Sequence, residues 1–273
     1  MRHFRHLKTP YLIWCVIFIL VPLALIAIYA FTNAGNEVKT LNFTLNNFIR
    51  IYEPTYIRVF IKSLELGVLT TLICLLAGYP LAYIIAKCPE SSQDMLIMAV
   101  TVPTWINMLL RTYAWMNLLS DNGIINGMLG LLGIDPVSMM YTNFSVLVGM
   151  VCNFMPFMII PIHTSLRKMD YSLIEAAMDL GANPFQTFRK VVLKLSMPGV
   201  INGVVMVSLM AISSFVIPKL LGGGQYVLIG NLIEQQFVSV GDWNFGSAVS
   251  LILAVLILLA MHFMKKMDVQ VAG

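Results

Sequence analysis

The amino-acid sequence predicts an all-α integral membrane protein with six transmembrane helices. Of its 273 residues, 59% are hydrophobic and only 11% are charged, whereas a soluble domain carries about a quarter charged residues. Six apolar segments are each long enough to cross the hydrocarbon core of a bilayer, for which about 20 helical residues suffice. Polar loops separate these segments, so we expect a single transmembrane domain, 1–273.

The apolar segments give the order of the transmembrane spans. The predicted spans are 11–31, 57–87, 95–116, 144–162, 198–218 and 245–264. The first exceeds the apolar region of a signal peptide and lacks a convincing small-residue cleavage site, so we expect it to be retained. Pro103 interrupts the third span. The stretch 118–141 contains only short apolar runs, which favours a re-entrant or interfacial segment.

Three charged side chains share one helical face at the start of the second span, because Arg58, Lys62 and Glu65 recur at i, i+4 and i+7. Two interpretations remain open. The face could line a hydrophilic pathway, or it could lie at the membrane interface with Lys62 paired to Glu65.

Basic residues predict the orientation of the spans. One side, which holds both termini and the loop 164–196, carries Arg2, Arg5, Lys8, Lys87, Arg167, Lys168, Arg189, Lys190, Lys194, Lys265 and Lys266. The opposite side carries Lys39, Arg50, Arg58, Lys62, Arg111 and Lys219. Since positively charged loops remain in the cytoplasm, we expect both termini and this loop to be cytoplasmic.

Sequence motifs for catalysis and metal binding are absent. There is no G-x-S-x-G, H-E-x-x-H or P-loop pattern, and the four cysteines show no C-x-x-C spacing. The four histidines do not cluster with carboxylates, and no basic stripe with interleaved aromatic residues indicates nucleic-acid binding. We therefore expect no enzyme activity, cofactor, metal or nucleic acid. A transporter without a P-loop must use an ion gradient or the ATPase of a partner.

The longest polar interruption in the second half of the chain has well-marked helix ends. Ser172 and Glu175 have the spacing of a capping box, and Gly181 follows as a C′ glycine would. Asn183 is a suitable N-cap with Pro184 in the next helical turn. The pattern predicts two short helices separated by a glycine, and we interpret the pair as a docking element.

This interruption resembles the EAA loop of ABC-importer permeases, in which the coupling helix fits a groove on the ATPase subunit. The resemblance implies the type I ABC-importer permease fold, with cytoplasmic coupling helices between spans 4 and 5. It assigns ATPase coupling to Glu175, Ala176, Ala177, Gly181 and Pro184, followed by the apolar positions Val191 and Leu193. Lys194 departs from the family, which usually has proline there. We expect Pro198 to supply the break before the fifth span.

Further segments resemble the spermidine/putrescine permeases of this family. They are 102–113, 221–224, 228–231, 236–237 and 242–246, and the likeness extends from about residue 41 to the last span. Asn244 stands where relatives often have proline. The resemblance implies a multi-pass permease of the bacterial cell membrane that imports polyamines by alternating access. It also implies three partners: a second homologous permease, an extracellular polyamine-binding protein and an ABC ATPase dimer. The ATPase dimer binds ATP and Mg.

Carboxylates and aromatic faces can bind a flexible polycation, and each aromatic face contributes a cation–π attraction of about 0.5–2 kcal/mol. The candidate pathway residues near the outer mouth are Trp105, Tyr113, Trp115, Asp121, Tyr226, Glu234, Phe237, Asp242 and Trp243. Trp and Tyr at this depth also form the ordinary interfacial belt. An unpaired Arg111 would oppose a funnel that attracts only cations. The alternatives are import of ferric iron, thiamine or phosphonate, a gradient-driven carrier, and a membrane scaffold that transports nothing.

Overall fold

A computed structural model describes residues 10–11, 13–33 and 42–272, with side chains described as far as residue 262. Several basic residues that predict the orientation of the spans lie outside the described residues: Arg2, Arg5, Lys8 and Lys39. The side chains of Lys265 and Lys266 are also outside the described part. The placement of both termini in the cytoplasm stays a prediction.

Helices account for the described architecture, and pairing between extended segments is limited there to an isolated bridge between Thr32 and Phe43. The helices are α1 (Ile13–Ala30), α2 (Asn46–Arg50), α3 (Pro54–Lys87), α4 (Glu90–Trp105), α5 (Met108–Leu119), α6 (Ile124–Leu131), α7 (Asn143–Arg167), α8 (Ser172–Asp179), α9 (Pro184–Ser213), α10 (Val216–Leu221), α11 (Ile229–Glu234, continued by the π-helical stretch Gln235–Val240) and α12 (Trp243–Ala272). Within the described residues, α1, α3, α7, α9 and α12 are each long and apolar enough to cross a membrane. The bent segment Glu90–Trp105 plus Met108–Leu131 makes a sixth span if it counts as one. The predicted all-α membrane class is confirmed.

The predicted third span, 95–116, is not one straight helix. The chain bends by 91° between α4 and the helical segment that follows. Pro103 lies inside α4, and the break comes later, at Ile106 and Asn107. The Asn107 side chain accepts a hydrogen bond from the Leu109 N–H (2.8 Å). This N-cap satisfies an orphan amide and fixes the start of α5.

Helix α9, which forms the fifth span, also differs from the predicted span 198–218. Helix α9 ends at Ser213, and Pro218 belongs to the separate helix α10. The Asn231 side chain donates to the Phe215 carbonyl (2.7 Å) and so stabilises the chain at this break. Gly230 comes so close that a Cβ there would lie 2.5 Å from the Ser213 carbonyl oxygen.

Helices α3, α7 and α9 form the centre of the bundle, and their contacts bury Leu66, Cys74, Met158 and Val207. A Cβ at Gly199 would lie 2.5 Å from the Pro161 carbonyl oxygen, so α9 approaches the α7 backbone directly. Small residues at helix contacts allow such close packing in membranes.

A second contact surface joins the first and last spans. Helix α12 packs against α1 around the buried residues Ala30, Phe245 and Val249. Asn244 donates from Nδ2 to the carbonyls of Tyr29 (3.0 Å) and Thr32 (2.9 Å), which lie at the end of α1. Orphan carbonyls at a helix C-terminus need such partners when they are buried. This departure from the family pattern therefore has a structural role.

Candidate functional site

The predicted docking element is one free-standing short helix followed directly by a long span. Helix α8 lies between α7 and α9, and the predicted second short helix, Pro184–Thr187, is the first turn of α9. A π-helical stretch, Phe188–Val192, continues it without a break. The expectation of two separate short helices was therefore wrong.

Pro198 does not break the helix before the fifth span, contrary to expectation. Lys194 lies two residues beyond the end of the π-helical stretch, and α9 continues through Pro198 to Ser213. In the π-helical turn the Leu193 N–H bonds to the Phe188 carbonyl, five residues back. A proline inside a helix removes one backbone bond, and the rest of a long, packed helix tolerates that loss.

The predicted capping box at the start of α8 is wrong. Ser172 is the first helical residue, and Tyr171 precedes it without a side-chain cap. The carboxylate of Asp170 accepts from the Ser172 N–H (3.0 Å), and this bond lowers the pKa of Asp170. The S-x-x-E spacing misled because Asp170, two residues upstream, accepts from the Ser172 N–H, so Ser172 lies inside the helix and is not its N-cap.

The turn after α8 follows the sequence prediction. Gly181 has φ +82°, and its N–H donates to the Met178 carbonyl (2.8 Å). The Asn183 side chain accepts from the Gln186 N–H (2.9 Å), and the Gln186 side chain accepts from the Asn183 N–H (3.1 Å). Pro184 occupies the first helical position. The C′ glycine and the N-cap of α9 are thus confirmed.

Helix α8 and the turn after it present both polar and apolar side chains. Glu175, Ala176, Gly181 and Pro184 are exposed, and Ala177 is half-buried. Four large apolar side chains beside them are also exposed, and we call them the α8 patch: Leu173, Met178, Leu180 and Phe185. Sequence reasoning missed this patch, although apolar residues in an otherwise polar loop were the available signal. Exposed apolar clusters of this kind mark interaction surfaces.

Two of the pathway candidates line one cavity. Tyr226 and Glu234 border a cavity of about 250 Å³ together with Lys219 and Asn231. Lys219 donates from Nζ to Glu234 Oε1 (2.8 Å), so the carboxylate already has a cationic partner. Sequence reasoning did not pair these residues, which lie 15 positions apart.

Another three candidates meet near the start of α12. The rings of Phe237 and Trp243 meet edge-to-face with centroids 6.1 Å apart. Asp242 accepts from Arg50 (2.7 Å) and from the Phe245 N–H (3.0 Å). The bond to Asp242 raises the pKa of Arg50. Asp242 is therefore occupied in linking α2 to α12.

The remaining four candidates lie apart from these groups. Trp105 and Tyr113 are exposed, Asp121 is exposed in the turn after α5, and Trp115 packs against the central core. Within the described residues, no hydrogen bond or ring contact joins these four to the other candidates.

The charged face of the second span lines a cleft of about 510 Å³, opposite Tyr226. Lys62 and Glu65 form an ion pair within it (3.1 Å), and Arg58 lies on the same wall. Both earlier interpretations thus find support, the pairing directly and the pathway through the cleft. Arg111 has a buried Nε with no hydrogen-bond partner in the described part of the chain.

The helical bundle and the exposed α8 loop define a class, the membrane component of a binding-protein-dependent transport system. Residues 1–271 match the family described as binding-protein-dependent transport system inner membrane component, and the chain belongs to it. It is a multi-pass permease subunit of an ABC transport system, a transport component rather than an enzyme.

Individual relatives narrow this class. The chain is 38% identical over 245 residues to the spermidine/putrescine transport system permease protein PotB of Escherichia coli, covering 89% of each. It is 39% identical over 249 residues to the protein of the same name from Haemophilus influenzae, covering 90% of this chain and 87% of that one. A crystal structure of a bacterial ABC transporter that imports the acidic polysaccharide alginate superposes with TM-score 0.83 at 19% identity, over 99% of this chain and 96% of that one. The predicted permease fold is thereby confirmed.

Proposed function

We propose that this chain is the permease subunit that moves spermidine and putrescine into the cell across the bacterial inner membrane. The observation that carries this proposal is the identity of 38–39% to spermidine/putrescine permeases over about nine-tenths of the chain. Transport proceeds by alternating access, and the energy comes from a separate ABC ATPase dimer that binds ATP and Mg. A second homologous permease and an extracellular polyamine-binding protein complete the assembly.

The ATPase docks on α8 and the α8 patch. The polar loop and its excess of basic residues support a cytoplasmic position for this surface by the positive-inside rule. Glu175 and the small residues Ala176 and Ala177 present a narrow helix face, and Gly181 and Pro184 fix the turn into α9. Leu180 and Phe185 supply apolar area for the contact, since both side chains are largely exposed.

The outer pathway passes the Tyr226–Glu234 cavity. A substrate ammonium group competes with Lys219 for Glu234, and the face of Tyr226 offers a second contact for a cation. The edge-to-face pair of Phe237 and Trp243 offers a further aromatic surface to a cation. Asp242 is less available because Arg50 occupies it, while Trp105, Tyr113, Trp115 and Asp121 lie apart from this cavity.

Uptake of labelled spermidine tests the proposal in cells that lack other polyamine routes. We expect uptake that requires this chain and that unlabelled putrescine inhibits, whereas ferric iron, thiamine and phosphonate leave it unchanged. Inhibition by one of those solutes instead would assign a different cargo. In proteoliposomes, transport by the purified chain alone that collapses with an ionophore would indicate a gradient-driven carrier.

A further inference from the structure

The C-terminal end of α3 is a meeting point for side chains from three other elements. The carbonyls of Ala86 and Cys88 lie at this end, where a helix leaves backbone acceptors without partners. Gln93 on α4 donates from Nε2 to both, at 3.1 Å and 2.8 Å. Gln93 is 6% exposed, so these bonds are made in the interior.

The two carbonyls fix the orientation of the Gln93 amide, because only the NH₂ group can donate to them. The Oε1 atom therefore faces His163 on α7, whose Nε2 lies 3.2 Å away. Oε1 only accepts, so Nε2 of His163 carries the proton and donates. One turn along α7, Arg167 pairs with Asp94 (2.6 Å), the neighbour of Gln93. Helices α4 and α7 are thus joined at two successive points.

Tyr171 connects α8 to this network. Its hydroxyl donates to the Ala86 carbonyl (3.1 Å), the same oxygen that accepts from Gln93. Tyr171 immediately precedes α8, so the bond fixes the start of that helix to the end of α3.

The other end of the α8 segment also contacts α3. Phe188, at the start of the π-helical stretch, packs edge-to-face against Tyr79 (5.9 Å) and Tyr83 (5.4 Å). The chain that carries α8 is therefore attached to α3 both before and after the helix. A displacement of α8 cannot leave the end of α3 unchanged unless one of these attachments breaks.

We propose that Tyr171 and Gln93 are positioning residues that transmit displacement of α8 to α3 and, through His163, to α7. This proposal rests on the proposed coupling of α8 to an ATPase and names the path inside the permease. Tyr171 links α8 to the acceptor at the end of α3, and Gln93 joins that acceptor to α4 and α7.

The test uses the complete transporter with its ATPase in proteoliposomes, with spermidine uptake and ATP hydrolysis measured on the same preparation. Tyr171→Phe removes only the hydroxyl. We expect uptake per ATP hydrolysed to fall about fivefold, the factor that one neutral hydrogen bond is worth, while hydrolysis continues. The matched control is Tyr52→Phe, because Tyr52 is exposed and within the described residues its hydroxyl has no hydrogen bond, and we expect it to leave the ratio unchanged.

Gln93→Leu is a second test variant, since it removes the hydrogen bond to His163 while keeping a side chain of similar size. If the path is shared, Tyr171→Phe combined with Gln93→Leu lowers uptake per ATP no further than Gln93→Leu alone. Tyr171 is half-exposed, so Tyr171→Phe still decides the question if Gln93→Leu does not insert.

An unchanged ratio in Tyr171→Phe, or a parallel loss of uptake and hydrolysis, would overturn the proposed path. Failure of the proposed function looks different. In that case the unaltered chain itself shows no ATP-dependent uptake, and Glu175→Arg changes nothing.

Discussion

Gly181 shows how a single backbone conformation sets the direction of the chain after helix α8. Its φ of +82° lies in the left-handed region, and no atom lies within 4 Å of the position that a Cβ would occupy. Glycine is therefore required by conformation and not by crowding. Left-handed backbone costs other residues about 1–2 kcal/mol.

We predict that Gly181→Ala weakens polyamine uptake moderately and that Gly181→Pro abolishes it. Proline fixes φ near −65° and removes the N–H that bonds to Met178. Uptake and ATP hydrolysis in proteoliposomes are the measurement, and hydrolysis should persist without transport. Gly127→Ala is the control, because that glycine also has open space but lies within helix α6. Normal transport by Gly181→Pro would remove this turn from the coupling role.

At the scale of the element, helix α8 is stabilised by few contacts of its own and exposes both polar and apolar side chains. It is two turns long and has no buried residue. A helix so short is marginal on its own in water. Its position therefore depends on the turn at Gly181, the contacts to α9 and the bond of Tyr171 to α3.

We predict that Leu180→Ser reduces retention of the ATPase subunit on the purified permease. Burial of one leucine side chain contributes about 1.5–3 kcal/mol, so binding should weaken by about tenfold or more. Leu131→Ser on α6 is the matched control, since Leu131 is 88% exposed and Leu180 is 89% exposed. Co-purification at a series of ATPase concentrations gives the comparison. Equal retention by the two variants would show that the α8 patch is not the contact.

The cavity beside α11 gives a second prediction at this scale. We predict that Glu234→Gln raises the KM for spermidine about tenfold, because a hydrogen bond to a charged group contributes about 1.5–3 kcal/mol. Lys219→Gln should lower the KM, since it removes the competing cation. Glu65→Gln makes the same change in the neighbouring cleft and should leave the KM unaltered. A raised KM for Glu65→Gln together with an unaltered KM for Glu234→Gln would place the pathway in the cleft of Arg58 and Lys62.

For the whole molecule, two separate contacts hold the spans together. The centre consists of α3, α7 and α9, while α1 joins through α12. Asn244 strengthens the second contact, because its amide bonds the end of α1 across 212 positions of sequence. Asn47 donates to the same Thr32 carbonyl (2.9 Å).

We predict that Asn244→Ala lowers the free energy of unfolding by about 1–3 kcal/mol, because it removes the hydrogen bonds to the Tyr29 and Thr32 carbonyls, each of which contributes about 0.5–1.5 kcal/mol. Thermal unfolding of the purified protein in detergent measures this loss. Asn117→Ala, at an exposed position of α5, should leave the midpoint unchanged. A midpoint for Asn244→Ala equal to that of the unaltered chain would mean that α1 is held by apolar contacts alone.

Sequence alone determined the membrane class, the approximate spans and the turn from Gly181 to Pro184. These features depend on hydropathy and on local capping, which act within a few residues. The family likeness of the Glu175 loop and of the outer segments was also readable, because the residues that carry it are contiguous.

Tertiary structure decided what depends on residues far apart in the chain. Pro198 remains inside α9 because a long, packed helix tolerates one missing bond. The partners of Glu234, Asp242 and Gln93 lie 15, 192 and 70 positions away. No local pattern contains such pairs, since they arise only when packed helices bring distant polar groups within hydrogen-bonding distance.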